Sequence, residues 1–308
     1  MKICLAIIYN HNFERNVPVL NRIYAGRFSN VYHIMPFYRG SDPHVIGVYE
    51  SSYQFSGYIT QASEVLMREN ADYYVFVADD MVINPRLNEN NILSEIGLSK
   101  APAGFIDDIR VLDDEHFARW GWGWESVVNL ISKSNACEGL SHLPSLDDAR
   151  AAFERNGLDW RVGVSAKLAN FIYKLHYKPQ RRPLIGIALK MRRFLRSDDK
   201  CYPLATGYSD LVVVPTGSFR DFCHYCGVFA AQRVFVENAI PTALVFSCSK
   251  IVTSKDAGFK SERGVDNYAV RGRFEKLHKF SYTSLVENFP SDYLFIHPVK
   301  LSKWRDLP

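Results

Sequence analysis

Two adjacent carboxylates, Asp79 and Asp80, close the apolar run that begins at Tyr73 and ends at Ala78. A buried strand of this kind ejects both acids onto the rim at its carboxyl end. Hard divalent cations favour carboxylate oxygens together with substrate phosphates over a cage made wholly of protein ligands. A cation bridging that rim to a diphosphate would stabilise the charge growing on a departing nucleoside diphosphate. The same pair would equally serve as an acidic turn capping the next element.

Four other groups have types that do chemistry. Glu237 sits inside the apolar run 234–244, where a carboxylate is costly unless it is paired or used; a helix cap or an ion pair is the plainer role. Asp210 stands ahead of a second apolar run, 211–215. Trp120, Trp122 and Trp124 alternate with glycines and lead into Glu125, a pattern suited either to stacking on sugar rings, with Glu125 accepting from hydroxyls, or to core packing. His297 follows a short strand-like stretch and is followed by Pro298 and Lys300; a lone imidazole there serves structure or, when neutral, offers a metal ligand. Cys223 and Cys226 lack a second pair nearby, so core packing is expected for them rather than zinc. No glycine-rich phosphate loop or dinucleotide fingerprint is present, which argues against P-loop NTPases and dinucleotide enzymes.

The elements that must position these groups alternate. Apolar stretches at 3–9, 31–35 and 45–49 predict strands, and apolar residues at 58, 59, 62, 65 and 66 predict a helix over 56–70. The strand 73–78 follows. Alternation of this kind implies an α/β fold with a mainly parallel central sheet covered by helices on both faces. Ligands of such sheets lie at the carboxyl ends of strands. From about 100 to 206 the pattern changes to Asp-, Trp- and Gly-rich loops and helical stretches, and a mainly helical insertion is expected. Strand-like sequence returns at 209–215, a helix is expected over 219–231, and a further apolar run covers 234–246. The Gly-, Lys- and Arg-rich stretch 250–276 predicts a loop, and 293–296 a last short strand.

Composition bounds the rest. At 308 residues, with 47% hydrophobic and 23% charged residues, the chain suits one folded α/β domain with an insertion. No stretch reaches the roughly 18 apolar residues of a membrane span. The N-terminal run passes directly into Asn10-His11-Asn12 without a cleavage pattern, so a first buried strand is expected rather than a signal peptide. Six scattered cysteines suggest a reducing compartment. The net charge of +4 is mild, and no nucleic-acid partner is expected. It is also concentrated: residues 174–200 hold nine Lys and Arg against two acids, so the remainder of the chain is net acidic. Within 183–196, Leu184, Ile187, Ala188, Met191 and Leu195 share one helical face, while Lys190, Arg192, Arg193 and Arg196 fall beside it. That arrangement predicts an interfacial helix on anionic lipid, or an ordinary surface helix.

The apolar first strand, the helix ending shortly before the acid strand, and Asp79-Asp80 together resemble the GT-A-fold glycosyltransferases, whose acid motif is Asp-X-Asp with Asp-Asp variants. The resemblance covers mainly residues 1–90, with echoes at 209–246 and 293–300. It implies a GT-A-like single domain, with a nucleotide-sugar half at 1–99, the insertion at 100–206 and an acceptor half at 207–308. It implies that Asp80 ligates Mn²⁺ or Mg²⁺, that Asp79 faces the ribose or a metal-bound water, and that His297 adds a ligand. Tyr9, Asn10 and His11 would line the nucleobase and ribose, with Arg39 reaching a phosphate. An acceptor-side acid would be Glu237, with Asp210 second. The stretch around Trp122 is also similar to the Gly-Trp-Gly-Gly-Glu-Asp acceptor motif of galactosyltransferases, which makes Glu125 a rival to Glu237. The implied activity is transfer of a hexose from a UDP-sugar to a lipid-linked glycan in surface-polysaccharide synthesis, by a cytoplasmic protein peripheral to the inner membrane face. The rivals are a sugar-nucleotide nucleotidyltransferase and a non-catalytic glycan- and membrane-binding module.

Overall fold

The computed structural model describes residues 1–112, 123, 126, 130, 138–160, 202–260 and 274–308. Its centre is a seven-stranded, mostly parallel sheet with helices against it. The strands are β1 (Ile3–Ile8), β2 (Val31–Pro36), β3 (Val45–Val48), β4 (Tyr73–Ala78), β6 (Gly104–Ile106), β9 (Leu211–Pro215) and β10 (Ile251–Thr253), in the order β10-β6-β9-β4-β1-β2-β3. β1 runs parallel to β2 and β4, β2 to β3, and β6 to β10. Only β9 is reversed, antiparallel to both β4 and β6. Six strands therefore end on one rim, and β9 begins there.

β1 and β4 are buried along their whole length, as central strands covered on both faces must be. Alternation divides their side chains between two core layers. Ile3, Leu5 and Ile7 with Val75 and Val77 meet Val17, Leu20 and Tyr24 of α1 (Val17–Tyr24). Cys4, Ala6 and Ile8 with Tyr74 and Phe76 meet α2 (Ser56–Met67) and two later helices. Those helices are Thr216–Ala231 and Val236–Ser247; Phe219 of the first stacks on Tyr74 with ring centroids 3.7 Å apart. Cys223 and Cys226 lie buried in this layer.

The expected strands at 3–9, 31–35, 45–49 and 73–78, the helix over 56–70 and the strand at 211–215 are present within a few residues. One run gains its element type and two expectations change. The run 234–246 is a helix, because its apolar residues pack into the second layer on several sides. The loop expected over 250–276 opens with the edge strand β10. The segment 100–206 also supplies sheet: β6 lies inside the central sheet, and β7 (Ile109–Val111) pairs antiparallel with β8 (Ala205–Gly207). These strands are three residues long, too short to show a period. Gly104 hides β6 further, since a Cβ there would stand 2.9 Å from Cys248 Sγ and Leu244 Cδ1. Helices at Glu138–Ser141 and Leu146–Arg155 belong to this segment.

A second small sheet matters most for the rim. β5 (Val82–Ile83), directly after the acid pair, pairs antiparallel with β11 (Phe295–Ile296), with Phe295 opposite Ile83 and Ile296 opposite Val82. Asn84 extends the join: its N–H donates to Leu294 O at 2.9 Å, and its side-chain amide donates to Tyr293 O at 2.9 Å and Pro290 O at 3.4 Å. On the other side, the Arg27 guanidinium donates to the carbonyls of Ile83, Asn84 and Leu87. Buried carbonyls left without donors cost about 1–3 kcal/mol each. Asn84→Ala is therefore expected to lower the unfolding free energy by about 2 kcal/mol, read as a shift of the urea midpoint without a change in slope.

Candidate functional site

The rim where β4, β1 and β9 meet is built by backbone hydrogen bonds. The N–H of Asp79 donates to Ile8 O, and that of Ala78 to Asp210 O, both at 2.9 Å. Consecutive residues leaving a strand point opposite ways, and the two acids have different surroundings. Asp79 is 5% exposed, and the backbone of Asn10 and the side chain of Asn16, both on the chain after β1, partly offset the cost of its charge. Burial, reinforced by the charge of Asp80, pushes its carboxyl up to about 7. Asp80 turns the other way. Its Oδ1 lies 2.9 Å from His297 Nε2. Burial raises its pKa, but the His297 bond, the imidazole's charge and Lys300 together outweigh that and hold it below the ordinary carboxylate value.

His297 reaches Asp80 across 217 positions because β11 ends one residue before it and β5 begins two residues after Asp80. Its Nε2 is also 3.8 Å from Asp210 Oδ1. Its Nδ1 is hydrogen-bonded to the hydroxyl of Tyr208, whose ring meets the imidazole edge to face. Asp210, considered from sequence as an acceptor-side acid, thus stands beside the same imidazole as Asp80. Among the described residues no group of three or more His, Cys, Asp or Glu side chains is arranged to hold a metal ion. The donors that converge are one carboxylate oxygen and one imidazole nitrogen, with a second carboxylate further off.

The other expected residues separate. Tyr9 is fully buried, and its hydroxyl bonds His33 Nδ1 at 2.8 Å, so its ring is core and not a stacking surface on the rim. Asn10 and His11 are exposed on the loop after β1, and Arg39 is exposed on the loop between β2 and β3. Glu237 opens the helix Val236–Ser247 and is half-buried. Next to it, Asn238 donates to Ala205 O at 3.3 Å and accepts from the hydroxyl of Ser126, which also receives the N–H of Phe235. This first turn is therefore fixed to β8, the strand leading into Tyr208. Trp120, Trp122, Trp124, Glu125, Arg192, Arg193 and Arg196 lie outside the described residues.

Several rim residues escaped notice in the sequence. Asp107 and Asp108 repeat the strand-then-acid-pair pattern at the end of β6. Asp107 accepts from Ser254 Oγ at 2.6 Å, and Asp108 accepts from the N–H of Tyr208 at 3.1 Å. The signal was available, since Asp107-Asp108 follows apolar Phe105-Ile106 much as Asp79-Asp80 follows Val77-Ala78. Phe13, Phe37, Tyr49 and Tyr53 are exposed after β1, β2 and β3. Phe37 and Tyr49 meet edge to face at 6.0 Å, and Asn12 donates to the carbonyl of Phe37, which holds a left-handed φ of 57°.

Comparison with family models, with curated proteins and with solved structures finds no match. Among the described residues no helix is long and apolar enough to cross a membrane.

One buried chain next to the rim carries a pH signature. His33 Nε2 faces Asn21 Oδ1 at 2.9 Å and so donates, which leaves Nδ1 to accept from Tyr9. Burial brings its pKa down to about 4, so the neutral ring is the folded form. Because the unfolded chain binds this proton more tightly, the stability from His33 is present above about pH 6.5 and is lost as pH falls toward 4, by about 3 kcal/mol. Replacing the ring, His33→Gln, is expected to flatten that part of the stability curve, measured by urea unfolding from pH 4 to 7.

Proposed function

We propose that the chain is a GT-A-type glycosyltransferase that moves a hexose from a UDP-sugar to a glycan acceptor, with Asp80 and His297 as the protein's ligands for Mn²⁺ or Mg²⁺. The observation that carries this is the 2.9 Å approach of His297 Nε2 to Asp80 Oδ1 at the mouth of β4. A carboxylate oxygen and an imidazole nitrogen suit a borderline cation such as Mn²⁺. Two protein donors also suit an ion that completes its shell with substrate phosphate oxygens. Bound there, such a cation would offset the charge that builds on the departing diphosphate.

The chain's own residues supply the rest. Lys300, whose charge already acts on Asp80, adds a cation on the diphosphate side. Asp79, buried next to Asp80 and favoured in its charged form by Asn10 and Asn16, lies beneath the donor. Neighbouring strands lie about 4.8 Å apart, so the ends of β2 and β3 are roughly 10–14 Å from β4. A nucleoside diphosphate anchored at Asp80 spans that distance, and the exposed rings of Phe37 and Tyr49 then meet its base. For the acceptor, Glu237 is the favoured acid, with Glu125 its rival by sequence, and the indoles of Trp120, Trp122 and Trp124 are of a type that suits sugar rings. Arg192, Arg193 and Arg196 suit an anionic membrane surface, which fits a lipid-linked acceptor at the cytoplasmic face.

Thermal unfolding with UDP, Mn²⁺ or both tests this. Wild-type protein is expected to gain several degrees from the pair and far less from either alone. Asp80→Asn should abolish the gain and reduce UDP-sugar turnover by about 100-fold or more. A wild-type chain indifferent to the pair would sink the proposal.

A further inference from the structure

We infer that Tyr208 is the positioning residue that lets His297 serve as a cation ligand, an inference that rests on the reading of Asp80 and His297 just given. Tyr208 is itself held at several points. Its N–H donates to Asp108 Oδ1, and two residues later the carbonyl of Asp210 accepts from Ala78. Gly207 lies so close to the Asp108 carbonyl that a Cβ there would stand 2.4 Å from the oxygen. Only glycine permits that approach, and with it the phenol reaches His297 Nδ1 while its ring braces the imidazole edge to face.

The hydroxyl has a chemical property that the ring requires. Facing Asp80 Oδ1, an acceptor, Nε2 carries a hydrogen, and in the neutral ring Nδ1 then accepts from the Tyr208 hydroxyl. To ligate a cation, Nε2 must present its lone pair, so the hydrogen belongs on Nδ1 and needs an acceptor. The same hydroxyl oxygen supplies it once its own hydrogen turns away. One proton leaves Nε2 for solvent and one arrives at Nδ1, so the ring is neutral before and after. A phenyl ring offers neither bond. Groups that orient a ligating histidine through its second nitrogen typically contribute 10–100-fold to metal affinity.

Titration calorimetry of Mn²⁺ into the full chain with saturating UDP tests this. Tyr208→Phe is expected to weaken Mn²⁺ by about 10–100-fold while the chain still unfolds cooperatively, with a modestly lowered midpoint. In a His297→Ala background the same change should cost nothing further, because its effect passes through that ring. ¹⁵N-histidine spectra with diamagnetic Cd²⁺ and UDP give an independent signature: wild-type His297 should show a metal-bound Nε2 and a protonated Nδ1, and Tyr208→Phe should lose that pattern. Equal Mn²⁺ affinity in wild type and Tyr208→Phe, or an equal loss in the His297→Ala background, overturns the inference while leaving the cation site standing. Wild-type protein that binds no Mn²⁺ with UDP overturns both.

Discussion

The four-residue ribbon of β5 and β11 is the constraint on which the rim depends. A mainly parallel sheet aligns the ends of its strands, but it does not by itself bring a group from the far end of the chain to the mouth of β4. Two paired residues on each side do that, with Val82 and Ile83 fixed just past Asp80 and Phe295 and Ile296 just before His297. Asn84 and Arg27 then satisfy the surrounding polar backbone from opposite sides. So short a ribbon would not persist alone in water. It persists here because Val82, Ile83, Phe295 and Ile296 are buried in the same layer as α1 and β1.

Electrostatics divides the acid pair. Asp79 gives up solvent, and its ionisation is opposed by burial and by the charge of Asp80. Asp80, half-buried, keeps its charge through His297 and Lys300. One carboxylate is thus disfavoured as an ion while the other remains available as a hard ligand. The rim continues this theme sideways: Asp210 stands by His297, and Asp108 holds Tyr208, so acids from three neighbouring strand ends surround one imidazole directly or through one intermediary.

Much of the sheet was legible in the sequence, for a physical reason. Central strands buried on both faces must be continuously apolar, and 3–8 and 73–78 announce themselves that way. The acid pair was legible because two charges ending such a run have to emerge at its rim. β6, β7, β8 and β10 were not legible: three residues carry no period, and their pairing is decided by partners far along the chain. His297 was noticed as a late histidine near a strand, yet nothing local to it encodes Asp80. Tyr9 shows the opposite failure. Its place after β1 pointed to a ligand, whereas the side chain alternates inward and spends its hydroxyl on His33.

The distance of 217 positions between Asp80 and His297 also orders events in time. A ribosome delivers the carboxylate early and the imidazole late. While the intervening chain emerges, β1, β2 and β3 already have their strand neighbours, β4 has β1 but not β9, and the partner of β5 does not yet exist. The nascent protein therefore passes through a long interval in which its sheet is assembling and its rim corner is still half made, so that corner closes abruptly, only once His297 has emerged.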